Sequence, residues 1–259
     1  MQAVIMAAGK GSRLGDVTND RPKCFLEIKG IKLIEYNIAL LHANGIKDIV
    51  IVTGYMHKKI EELLRNIEGI TFVYNPFYEF MNVLGSFFMA CNTIKNDEDL
   101  IYMHADTLCA PEIFNEMFLA EGDMVLPVEF KSCDEEAMKV KTQNGKLVEI
   151  SKQISCREGE GEFIGIAKIS KEIILSLKTV TTKLMEQKVF NAYFEGAITE
   201  LITEQKYNFE VLDTTDYFWG EIDFLEDYIT VEQSIPQNLV DIAIRDRKEE
   251  KYFGKQTRR

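Results

Sequence analysis

Met6-Ala7-Ala8-Gly9-Lys10-Gly11-Ser12-Arg13-Leu14 stands directly after the short apolar run Gln2–Met6, and Arg21-Pro22-Lys23 comes ten residues after Gly11. Glycines at the end of a strand let backbone N–H groups approach a phosphate closely, and Ser12 adds a hydroxyl donor. The two common phosphate loops fail here by spacing. A dinucleotide fingerprint needs a further glycine at position 14, which is Leu14, and an acid ending the second strand, where Thr53 stands. A Walker A loop spaces its glycines more widely and ends in Gly-Lys-Ser/Thr, which is not the pattern here. Beyond the glycines the chain is cationic, with Arg13, Arg21 and Lys23 close together. Pro22 fixes the approach to Lys23 and disfavours helix at Arg21.

Strand-like and helix-like segments alternate outward from this loop. Lys32–Ala43 has helical apolar spacing and stops at Asn44-Gly45, a C-terminal cap signal. Asp48–Thr53 is a β-branched run, His57–Asn66 an amphipathic helix, and Ile70–Tyr74 a strand again. A helix near Asn82–Thr93 leads to the strand Leu100–His104, the helix Pro111–Ala120 and the strand Asp123–Phe130. Such alternation predicts a mostly parallel sheet covered by helices on both faces. After residue 130 the pattern changes. Lys139–Thr142 and Lys146–Ile150 flank Gln143-Asn144-Gly145, a strong hairpin signal. Phe163–Ser170 reads as a strand, Lys171–Gln187 and Phe190–Gln205 as helices, Phe209–Leu212 and Phe218–Ile222 as short strands, and Leu225–Gln233 as a helix. No repeat or linker divides the chain, so one α/β domain with a mixed-sheet second half is expected, followed by a helix and basic tail.

Composition narrows the function. Of 259 residues, 46% are hydrophobic and 28% charged, enough for a real core and ordinary for a globular protein. The net charge of −12 argues against a general nucleic-acid binder, which carries a basic footprint. The charge is uneven, however. Residues 1–30 carry five cations (Lys10, Arg13, Arg21, Lys23, Lys29) against three acids, a local excess that invites a search for an anion site. No stretch approaches the ~18 apolar residues of a membrane span, and the N-terminus lacks a charged leader, so a cytoplasmic protein is expected. Five scattered cysteines without a C-x-x-C pair read as reduced thiols.

The whole spaced set, Ala7-Ala8-Gly9-Lys10-Gly11-Ser12-Arg13-Leu14 followed by Pro22-Lys23, resembles the signature of nucleotidyltransferases with the GT-A-like fold. Leu33-Ile34-Glu35-Tyr36, Val50–Gly54 with Tyr55, Leu84-Gly85-Ser86, the strand ending in Asp106, and Glu221-Ile222-Asp223 continue the resemblance over residues 2–228. Asn75, Tyr78, Asn82 and Ser86 fall at the spacing of phosphocholine and phosphonate cytidylyltransferases. The resemblance implies a Rossmann-like domain over residues 1–235, with a nucleotide-binding half (1–130), an acceptor half (131–235) and a C-terminal helix and basic tail (236–259). It also implies CMP transfer from CTP to a small phosphate or phosphonate such as phosphocholine or 2-aminoethylphosphonate, with Mg²⁺ as cofactor. Sugar-1-phosphate transfer and a non-catalytic binding module are the alternatives, and a homodimer is left open.

The resemblance assigns roles residue by residue. Asp106 and Asp223 are the metal carboxylates, and Mg²⁺ takes such hard oxygen ligands. Each ends a strand-like run, so the ends of parallel strands are expected to bring them together. Arg13 binds the outer phosphates and Lys23 the charge developing around the α-phosphate; these two are the catalytic cations. Ala8, Gly9, Gly11 and Ser12 cradle the nucleotide, with Asn82, Gly85 and Ser86 near base and ribose. Lys152, Glu162, Glu195 and Trp219 are candidates for the acceptor side, where Tyr78, Phe80, Tyr193, Phe194, Tyr217, Phe218 and Trp219 could supply a cation–π box. Alternatively, Glu129, Asp134, Glu162 or Glu195 pairs with a primary amine.

Overall fold

In the computed structural model, which describes residues 1–256, Gln2–Ala7 forms strand β1 and every one of its residues is buried. A strand covered on both faces needs apolar side chains at odd and even positions alike. Val4 and Met6 accordingly join one core, while Ala3, Ile5 and Ala7 join the other. Glu27–Ile28 (β2) and Ile31–Lys32 (β3) form a small hairpin. Leu33–Ala43 (α1), Asp48–Thr53 (β4), His57–Leu64 (α2), Ile70–Tyr74 (β5), Val83–Ala90 (α3), Leu100–His104 (β6), Thr107–Cys109 (β7), Pro111–Leu119 (α4) and Met124–Glu129 (β8) come next. Then come Lys139–Gln143 (β9), Lys146–Ser151 (β10), Gly161–Phe163 (β11), Ile166–Ile169 (β12), Lys171–Glu186 (α5), Phe194–Thr203 (α6), Phe209–Asp213 (β13), Trp219–Glu221 (β14), Leu225–Ser234 (α7) and Gln237–Gln256 (α8). The last three residues of the basic tail, 257–259, lie outside the described residues.

One 10-stranded sheet runs in the order β11-β9-β10-β13-β8-β12-β6-β1-β4-β5. Parallel pairing joins β6, β1, β4 and β5, and separately β13 and β8. The other pairs are antiparallel, including the expected hairpin β9–β10, whose turn residues Asn144 and Gly145 both take positive φ. Helices α1, α2 and α4 cover one face, through Ile34, Ile38, Ile60 and Phe114. Helices α3, α5 and α6 cover the other, through Leu84, Phe87, Ile173 and Phe194. A smaller core gathers Leu14, Ile28, Val231 and Leu239, so α7 and α8 close over the β2–β3 hairpin. Cys24, Cys91, Cys109 and Cys133 are buried and Cys156 exposed, all as free thiols.

Two expectations are corrected. The single strand over Phe163–Ser170 is two strands, β11 and β12, broken at Gly165 with φ +80; a Cβ there would fall 2.7 Å from His104 Nδ1. The break lets the backbone pass close over a histidine ring. The helix expected from Phe190 begins at Phe194 instead. The intervening carbonyls of Phe190 and Ala192 accept from the amides of Asn82 and Leu84, so this segment serves the start of α3 rather than its own helix.

Candidate active site

Strand β1 delivers the glycine loop to the rim of a cleft of about 750 Å³. Ser12–Thr18 continues as tight 3-10 turns, and Pro22 leads Lys23–Phe25 into another. Gly11 takes φ +69, and a Cβ there would fall 2.9 Å from the Lys23 Cβ. The glycine is thus needed twice, for its left-handed backbone and for the lysine stem lying against it. At Gly9 a Cβ would meet nothing within 4 Å, because that position opens on the cleft.

Lys23 is 8% exposed, yet its Nζ lies 2.5 Å from Asp106 Oδ2 and 2.5 Å from Asp223 Oδ1. Burial pushes its pKa down, but the two carboxylates outweigh burial and hold the ammonium above the usual lysine range. Burial likewise disfavours the Asp106 charge, and Lys23 with His104 reverses that, keeping the carboxyl below its ordinary value. Arg13 Nη1 stands 3.0 Å from Asp223 Oδ2 and 3.3 Å from Glu136 Oε2. Two cations, Lys23 and Arg13, therefore share Asp223, with Asp106 and Glu136 as their further partners.

Contrary to the expectation, the aspartates are not brought together by the ends of parallel strands. They meet through a separate antiparallel ribbon, β7–β14, in which Glu221 faces Thr107. The Ile222 amide donates to the Asp106 carbonyl at 3.2 Å. Asp227 then fixes the turn, accepting from the amides of Asp223 at 2.9 Å and Phe224 at 2.7 Å at the start of α7. Beside this pair, His104 Nε2 lies 2.9 Å from the Tyr102 hydroxyl and Nδ1 3.6 Å from Glu221. Burial opposes the charge on His104, and Glu221, Asp106 and Glu195 outweigh it, raising its pKa to about 9. Ligand atoms of His104, Asp106 and Glu221 lie within 4.8 Å of one another.

Of the expected residues, Ala8, Gly9, Arg13, Asn82, Ser86, Asp106, Lys152, Glu162, Glu195, Trp219 and Asp223 line the cleft. Lys23 reaches it through its ion pairs, while Gly11 and Ser12 stand in the adjoining loop, outside the lining. Gly85 is buried, with room there for no more than hydrogen, since a Cβ would fall 2.6 Å from Met81 Cβ. Asn82 caps α3, accepting from the Val83 amide at 2.8 Å. Buried Asn75 donates to Ser86 Oγ at 2.9 Å, tying the end of β5 to α3. The aromatic candidates divide. Phe194 is core, stacked on Tyr102 at 3.8 Å, and Tyr217 and Phe218 pack against buried clusters. Tyr78, Tyr193 and Trp219 remain at the cleft wall.

Residues 3–136 match the model of the MobA-like NTP transferase domain. The chain belongs to that family. A CTP:phosphoglutamine cytidylyltransferase of Campylobacter jejuni is 31% identical over 248 residues, 88% of this chain and 97% of its own length. A choline-phosphate cytidylyltransferase of Haemophilus influenzae is 28% identical over 241 residues, 92% of this chain and 99% of its own. The solved CTP:phosphocholine cytidylyltransferase from Streptococcus pneumoniae superposes with a TM-score of 0.74 at 23% identity, covering 91% of this chain and 99% of that one. The mixed α/β architecture is accordingly the Rossmann-like nucleotidyltransferase fold.

Several residues of this NTP transferase escaped the sequence reading. Lys131 lies 2.6 Å from Glu129 and 2.9 Å from Glu162, with its Nζ 4.8 Å from the Trp219 ring centroid. Glu136 joins Arg13 to Lys152, the latter at 3.6 Å, and Lys152 sits 5.3 Å over the Tyr193 ring. Lys139 is fully buried and donates to the carbonyls of Asp134, Glu135 and Ala137, pinning the loop that carries Glu136. Period-two spacing puts Glu129 and Lys131 on one side of the extended chain, the one signal that could have paired them. Nothing local marks Lys139.

Proposed function

We propose that this protein is a Mg²⁺-dependent cytidylyltransferase that moves CMP from CTP to a small phosphate or phosphonate acceptor with a cationic head, such as phosphocholine or 2-aminoethylphosphonate. One observation carries the reading: Lys23 and Arg13 converge on the carboxylate pair Asp106–Asp223 beside a single cleft. A reaction in which one anion attacks another is limited by charge repulsion, and such a cluster neutralises charge where it develops.

Asp106 and Asp223 fit a divalent cation, since their hard oxygens already share one positive charge in Lys23. The group His104–Asp106–Glu221 replaces an oxygen by imidazole, a ligand less suited to Mg²⁺. Bound by the aspartates, Mg²⁺ would supply Lewis-acid neutralisation of the triphosphate charge. An acceptor oxygen attacks the α-phosphorus of CTP, and the bond to pyrophosphate breaks. Lys23 turns to the α-phosphate charge and Arg13 clamps the outer phosphates. Ser12 and the open backbone at Gly9 hold the triphosphate, and Ala8, Asn82 and Ser86 stand near base and ribose. Gly11 and Gly85 act by letting Lys23 and Met81 approach. Residues 1–130 hold the nucleotide; Lys152, Glu162, Glu195 and Trp219, from residues 131–235, hold the acceptor. The two cytidylyltransferase relatives of nearly the same length support the choice of CTP and a phosphorylated acceptor.

The test is pyrophosphate release with each of the four triphosphates against a panel of acceptors. CTP with phosphocholine or 2-aminoethylphosphonate is expected to exceed UTP or dTTP with glucose-1-phosphate by at least about tenfold in kcat/KM, ~1.4 kcal/mol. A better sugar phosphate would make this a sugar-1-phosphate transferase. Release with no pair would leave a binding module.

A further inference from the structure

Resting on that reading, we propose that Glu129, Glu162 and Trp219 form a subsite for a primary ammonium group on the acceptor, and that Lys131 fills it as a stand-in while no acceptor is bound. Glu129 and Glu162 are direct cross-strand partners of β8 and β11. Like charges set directly opposite each other destabilise a sheet, so this pair calls for a cation between its members. Lys131 supplies one, its Nζ 2.6 Å from Glu129 Oε2 and 2.9 Å from Glu162 Oε2. The Trp219 indole N–H donates to the same Glu129 oxygen at 3.0 Å, which fixes the carboxylate, and the ring offers its face to the ammonium at 4.8 Å. Trp219, Glu129, Lys131 and Glu162 all line the cleft that holds the Asp106–Asp223 pair.

Lysine is the movable member of this group. Its side chain is 38% exposed, against 26% for Glu129 and 17% for Glu162. It can swing into water on a flexible stem and leave the carboxylates in place. Burial, and with it Glu221 and Asp134, disfavours the charge on Glu162, and Lys131 favours it, so this carboxylate is best served by a cation beside it. An incoming ammonium is therefore attracted. The spacing selects the head group as well. Nitrogen-to-oxygen distances this short need N–H donors, which a primary ammonium has and a trimethylammonium lacks. Glu195 lies in the same cleft, buried, with its Oε2 lacking a hydrogen-bond partner, so the pocket retains acceptor capacity beyond the Lys131 site.

The decisive variant is Lys131→Met, which empties the subsite while keeping the stem's bulk. Its KM for 2-aminoethylphosphonate should fall by at least about threefold with kcat little changed, and its KM for ethylphosphonate, the same acceptor without the amine, should not move. A rise in KM for the amine, or an equal fall for ethylphosphonate, would overturn the proposal, because Lys131 would then hold the anionic part of the acceptor or merely obstruct the cleft. In the wild type, 2-aminoethylphosphonate should also bind more tightly than phosphocholine; the reverse order would sink the head-group selection. Trp219 is the chain's single tryptophan, so titrating its fluorescence with the three compounds reads the subsite without turnover. If CTP supported no transfer, the cytidylyltransferase reading would fall while this titration still decided the subsite.

Discussion

Two lysines, Lys23 behind the cleft wall and Lys131 lining it, each stand between two carboxylates, and they differ in how they are held. Lys23 has a side chain 10% exposed, lies under Gly11, and bridges Asp106 and Asp223 at 2.5 Å each. Lys131 is far more exposed, and it bridges a cross-strand glutamate pair at the open wall of the cleft. A buried ion that loses its partner bears a large desolvation penalty, whereas an exposed one is solvated by water. The same arrangement of charges thus makes one lysine a fixed part of the machinery and the other a removable occupant.

Breaking the first cluster should have the largest effect. Asp106→Asn or Asp223→Asn should lower turnover by several kcal/mol of transition-state stabilisation, on the order of a thousandfold or more, with the fold retained. Steady-state pyrophosphate release on variants with wild-type circular dichroism checks this, and near-normal turnover would remove that residue from the site. Lys23→Ala comes next, lowering kcat by about a hundredfold, more than it raises the KM for CTP, because its contact strengthens as charge moves. It also removes the cation shared by Asp106 and Asp223 and leaves Arg13 on Asp223 alone, so thermal unfolding should show a loss of about 3–5 kcal/mol. Lys131→Met should cost less than about 1 kcal/mol by the same measurement, since that lysine is well exposed. Equal losses would erase the distinction between the two lysines. Gly11→Ala should affect the chemistry less than the aspartate and Lys23 variants do. Its left-handed φ and the approach to the Lys23 stem predict a loss of about 1–2 kcal/mol in stability, with a smaller fall in kcat. An unchanged melting temperature would mean that the lysine stem is not held there.

The sequence by itself determined the loop, the parallel strands around it and the identity of its cations. Gln2–Met6, Asp48–Thr53 and Leu100–His104 are mostly apolar because both faces are covered, and the edge strand Ile70–Tyr74, with Thr71 and Tyr74 exposed, still carries a β-branched and aromatic run; such segments announce themselves without a partner. Gly9, Gly11, Arg13 and Lys23 lie close together along the chain, so their spacing alone carries the phosphate-site pattern. Tertiary structure decided what those cations meet. Lys23 finds carboxylates 83 and 200 residues away, and they are joined by the β7–β14 ribbon, which no local periodicity announces. Only the antiparallel register of β8 and β11 set Glu129 against Glu162 and left Lys131 between them. Chain-local features arise from backbone conformation and burial, which each residue expresses where it stands. Charge pairing depends on a few ångströms between distant segments, and that distance exists only once the sheet has closed.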